Sequence, residues 1–151
     1  MAINYREKII ALWTVFLLGT LFHTQLGLMP LFHGLSVAES QKATTMSEIS
    51  EIMWLMWGFF VIPMLAIIAT AFTDVKRYKA IHFGLTIFYS VMNLLHLILD
   101  LMVTPIFWYQ IALMALLLGV GLLLNFVAYQ WLRSPDEKGK FWTEPLTSSH
   151  S

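Results

Sequence analysis

The sequence predicts an all-α integral membrane protein, a four-helix bundle with its amino and carboxyl termini both on the cytoplasmic side. Three observations carry this expectation. Hydrophobic residues make up 58% of the 151 residues and charged residues only 12%, against about 25% charged in an ordinary soluble domain. Four separate apolar runs are each long enough to cross hydrocarbon. The basic residues, finally, gather on one side of those crossings. A mean hydropathy of +0.71 agrees with the first point, because a soluble fold of this length has too little interior to hide so much apolar surface.

The first run spans 9–29. Arg6 and Lys8 precede it as they would a signal peptide, but it is too long for a signal core and no small-x-small cleavage pattern follows, so it reads as a retained span. Pro30 is expected to close it and open a polar loop through Ser50. Within that loop Ser47 and Ser50 are candidate caps for the next helix. The second run, 52–72, carries Pro63 at mid-span, where a kink is expected. Thr73 to Lys79 reads as a short charged turn, 80–103 as the third span, Thr104-Pro105 as a tight hairpin and 106–132 as the fourth span. Runs of roughly 20 residues or more reach across the bilayer as helices, which satisfy their own backbone groups. They lack the two-residue alternation of barrel strands. Residues 1–133 thus form one transmembrane domain, and 134–151 a polar cytoplasmic tail.

Sidedness follows from the placement of charge. Arg6 and Lys8 precede span one, Lys76, Arg77 and Lys79 separate spans two and three, and Arg133, Lys138 and Lys140 follow span four. Lys42 alone lies in the opposite loops, beside Glu39, Glu48 and Glu51. The positive-inside rule then puts the termini in the cytoplasm. The expected setting is a cell membrane or an internal energy-transducing membrane, with lipid, other membrane subunits or a second copy as partners. Nine Lys+Arg balance nine Asp+Glu, so the basic patch of a nucleic-acid binder is missing. There is no Cys, which removes disulfides, thiolate metal sites and thiol chemistry. No phosphate-cradling Gly loop or H-E-x-x-H helix points to an enzyme.

Span three carries the most informative pattern. His82, Thr86, Tyr89, Asn93, His96 and Asp100 recur every three or four residues and form one stripe along a helix. Such a stripe faces protein, because unpaired polar groups in hydrocarbon cost several kcal/mol each. Matching faces are expected on span one (Trp13, Phe16, Thr20, His23, Gly27) and span four (Gln110, Met114, Gly121, Asn125). Gly19, Gly27, Gly58, Gly119 and Gly121 are expected to let backbones approach. At 1.5 Å per residue, His23 and His96 lie roughly 21 and 24 Å from the cytoplasmic ends of their spans, at similar height.

Two functional readings result. His23 and His96 are candidate axial ligands of haem b; alternatively they join Asp100 and His33, with Glu51 nearby, in a transition-metal site. Either would suit an accessory subunit that handles electrons. Against these stand a purely structural reading, in which the same residues are interhelical hydrogen bonds (His23 to Asn93 or Asp100, Tyr89 to Thr20, His82 near the headgroups), and a small proton- or ion-conducting protein. Met53 and Met56 form the one close Met pair that could favour copper. Trp13, Trp54, Trp57, Trp108, Tyr109 and Trp131 read as interfacial anchors.

Overall fold

The computed structural model describes residues 4–37 and 43–135, so the expected tail beyond Pro135 and the charges at Glu39, Lys42, Lys138 and Lys140 lie outside the described residues. Four helices run in order: α1 (Tyr5–Phe32), α2 (Met46–Phe72), α3 (Lys76–Met102) and α4 (Trp108–Arg133). All four are long and apolar enough to cross a membrane. Helices α1, α2 and α3 begin before their apolar segments, since a helix satisfies its backbone equally well where it leaves hydrocarbon, whereas α4 begins at Trp108, just inside its segment.

Two expected boundaries are corrected by local chemistry. Helix α1 passes through Pro30 and ends two residues later. The terminator is Gly34, at φ +76°, the left-handed conformation that glycine adopts without a Cβ penalty. Gly34 N–H donates to the Leu31 carbonyl and Leu35 N–H to that of Pro30, at 3.1 and 3.0 Å, closing the helix in a Schellman motif. Helix α2 is preceded by Thr45, so Ser47 and Ser50 lie inside its first turns instead of capping it. Glu48 reaches back to accept from Thr44 N–H at 3.1 Å and from the Thr44 and Thr45 hydroxyls, which satisfies an amino-terminal donor from within the helix. Helix α3 starts at Lys76, leaving only Thr73–Val75 as the turn.

The helices alternate in direction around the bundle. Arg6 at the start of α1 donates to the Thr70 and Ala71 carbonyls at the end of α2, at 2.9 and 2.6 Å. Phe16 packs on Tyr89 and His23 on His96, so α1 and α3 run parallel with a constant offset of 73 residues. Helix α4 lies closest to α1 and α3, with Leu117 seated against Gly19 and Ser90 against Gly121. Gly58 and Gly119, by contrast, face open space; they serve no helix contact.

Packing is uneven along the bundle. The buried residues of α1 are Ile9, Trp13 and Phe16, those of α2 are Pro63, Ala66 and Thr70, and α4 is buried from Met114 onward. Most of these lie toward the end that holds Tyr5, the α2–α3 turn and Arg133, whereas Met114 and Leu117 of α4 lie in the opposite half. At the other end α2 is exposed on every side from residue 50 to 57. The bundle is closed at one end and open at the other.

Candidate metal centre

The α3 stripe enters the interior as its spacing requires: His82, Thr86, Tyr89 and Asn93 are all buried. Its outer members differ. The His96 side chain is 53% exposed and Asp100 20%, because the open end offers no α2 surface to cover them.

At that end three side chains converge. His23 Nε2 lies 3.3 Å from His96 Nε2. Asp100 stands one turn beyond His96, its Oδ1 3.6 Å from His96 Nε2 and its Oδ2 3.6 Å from His23 Nε2. One ligand atom from each lies within 4.8 Å of the others. Between two nitrogens there is room for a single proton, and 3.6 Å is too long for a hydrogen bond to the carboxylate. Moreover His23 Nδ1, Asp100 Oδ2 and, a turn deeper, Asn93 Oδ1 are buried without a hydrogen-bond partner. Each such orphan costs about 1–3 kcal/mol. Lewis bases thus collect where protons to join them are scarce.

Two metal–imidazole bonds of about 2.0–2.1 Å at a tetrahedral angle set the nitrogens about 3.3 Å apart, whereas two axial ligands in line through one iron need about 4 Å. The observed 3.3 Å matches the first distance and is equally that of a hydrogen bond between the two imidazoles. His33 does not join the cluster; it caps the exposed end of α1. Glu51 is exposed on the free part of α2.

His82 shows what a satisfied membrane histidine looks like. Its Nε2 accepts from Trp13 Nε1 at 3.2 Å, which fixes the proton on Nδ1, and Nδ1 faces Tyr78 Oη at 3.3 Å and Thr70 Oγ1 at 3.5 Å. The Tyr78 hydroxyl donates its own hydrogen bond to the Ala66 carbonyl at 2.8 Å. Both ring nitrogens are therefore committed, and the His82 side chain is buried among the helices. Tyr89 likewise donates to the Phe59 carbonyl at 2.7 Å, and Thr20 to that of Phe16, so the expected Tyr89–Thr20 bond is replaced by two bonds to backbone. Asn125 donates to Ser90 Oγ at 2.9 Å. Gln110 lies over Gly27, its Nε2 3.6 Å from where a Cβ would stand.

Sequence reasoning missed the polar cluster at the closed end. Lys79 is only 1% exposed and pairs with Asp74 at 3.1 Å; Asp74 also accepts from Trp131 Nε1 at 3.1 Å, and the Lys79 ammonium lies 5.5 Å from the Trp131 ring centre. Lys79 falls three residues before His82, so extending the stripe by one step would have found it. Trp13 and Trp131, expected as interfacial anchors, are buried, whereas Trp54, Trp57, Trp108 and Tyr109 are exposed as anchors should be.

The chain is an all-α bundle with four candidate membrane-spanning helices and a His/His/Asp cluster. No protein-family profile matches the sequence, and comparison with curated proteins and with solved structures finds no match.

Proposed function

We propose that this chain is a multi-pass membrane protein that holds a divalent transition-metal ion between α1 and α3, with His23, His96 and Asp100 as ligands, and that it serves as a metal-bearing membrane subunit. The observation that carries the reading is the convergence of two imidazole nitrogens and a carboxylate at 3.3–3.6 Å around buried atoms that lack hydrogen-bond partners. Three protein ligands leave a further position open, as in sites where the ion meets water or a substrate. An N,O donor set suits zinc, copper(II), iron or nickel. For electron transfer the ion must be iron or copper; zinc does not change oxidation state.

The termini are assigned to the cytoplasm, supported by Arg6, Lys8, Lys76, Arg77 and Arg133 at the closed end. The ion then lies toward the outer face, one to two turns below the end of α3.

Metal analysis of protein purified in detergent tests the reading. About one equivalent of a transition metal is expected after repletion, falling at least tenfold in His96→Ala and His23→Ala with helicity unchanged. Wild-type protein that stays metal-free after repletion would refute it, and a Soret band would return the assignment to haem b. Because the ligands bind in their deprotonated forms, affinity weakens on acidification.

A further inference from the structure

The site described so far draws on α1 and α3, yet a group from α4 also reaches its layer. Gln110 stands in the first turn of α4, which begins at Trp108. Its side chain crosses to α1 at Gly27, where the missing side chain leaves the space. Gly27 lies one turn beyond His23 on the same face of α1. The offset that pairs Phe16 with Tyr89 and His23 with His96 pairs Gly27 with Asp100. The Gln110 carboxamide therefore enters the layer of a carboxylate whose Oδ2 is a buried acceptor with no hydrogen bond. Amide N–H groups are the donors such an oxygen needs, and metal-binding carboxylates are characteristically held in this way.

We propose that Gln110 is the positioning residue of the metal centre: on metal binding its carboxamide turns to donate to Asp100 Oδ2, which faces His23 Nε2 at 3.6 Å and has no hydrogen-bond partner in this structure, leaving Oδ1 to the ion. The inference rests on the metal reading above. It makes three helices converge on the ion at the end of the bundle where packing is weakest, so that binding joins α4 to α1 and α3 there.

The test is copper(II) affinity, copper being the tightest-binding of the first-row divalent ions, measured on the full chain in detergent. Gln110→Met keeps length and shape but removes the donor; it is expected to weaken binding about 10–100-fold, the usual effect of losing a group that orients a ligand. Gly27→Leu, which displaces the amide, should weaken binding similarly, whereas Gly27→Ala should change it less than about twofold, because a Cβ at 3.6 Å is an ordinary contact. In an Asp100→Ala background, which removes the acceptor, the Gln110→Met loss should shrink to less than about twofold, a coupling that a merely structural role would not produce. If wild type binds copper and Gln110→Met binds as tightly, the assignment of Gln110 falls while the metal reading stands. An undiminished Gln110→Met loss in the Asp100→Ala background would also overturn it. If wild type binds none, both fall.

Discussion

Two histidines on parallel helices, His82 and His23, show how environment decides role at the scale of a residue. His82 has a donor on one nitrogen and hydroxyls on the other, and its protonation state is spent on structure. His23 has one nitrogen without a partner and the other facing two further Lewis bases. Spacing alone presents both as stripe-facing histidines, and only the side chains that fill the space around each tell them apart. Trp13→Phe keeps the ring but removes the donor to His82 and is expected to cost about 1–2 kcal/mol in detergent unfolding, the range for membrane hydrogen bonds. Lys79→Met strands Asp74 at the closed end and is expected to cost about 2–4 kcal/mol, below the full penalty of a buried pair because Asp74 keeps some exposure. Adding Asp74→Asn should recover most of that loss, since asparagine still accepts from Trp131. An unchanged melting temperature in Lys79→Met would contradict the burial of this pair. Lys79 was legible from sequence only as a basic residue in a turn, because the positive-inside rule counts charges without asking where a flexible ammonium points.

For whole elements, hydrophobicity read well and punctuation read poorly. The four long apolar helices were legible because bilayer thickness sets a length that a random apolar run seldom reaches. Pro30 was overrated as a terminator: a proline near the end of a helix sacrifices one bond, and the chain ends only where Gly34 supplies the left-handed turn. The glycines separate in the same way. At Gly19 an added Cβ would drive into the Leu117 side chain, whereas at Gly58 it would meet nothing. Gly19→Ala is therefore expected to destabilise the protein by about 1–3 kcal/mol through overpacking. Gly58→Ala should stabilise it by up to about 1 kcal/mol through helix propensity. Combining Gly19→Ala with Leu117→Val should cost less than Gly19→Ala alone; a strictly additive pair in thermal unfolding would show that the two residues do not share that space.

At the scale of the whole molecule, the equal height of His23 and His96 was legible because a rigid rise per residue turns sequence position into depth. The exposure of His96 was not, since it depends on α2 parting from the bundle, and no periodicity records where a helix has no neighbour. The absence of Cys makes sidedness directly testable. A single cysteine at Gln130 should react with an impermeant thiol reagent only in inverted vesicles, and one at Phe32 only in right-side-out vesicles. The opposite pattern would invert the assignment of the termini.

Where α2 parts from its neighbours, the molecule cannot leave a vacuum in a bilayer. In a bilayer, acyl chains would fill the space beside residues 50–57 of α2, so that lipid would serve as packing material at that end of the bundle. Melting temperature should then depend on the chain length and saturation of the surrounding lipid. Amide exchange from residue 46 to 57 should answer to lipid composition much more than exchange around Trp13 and Trp131.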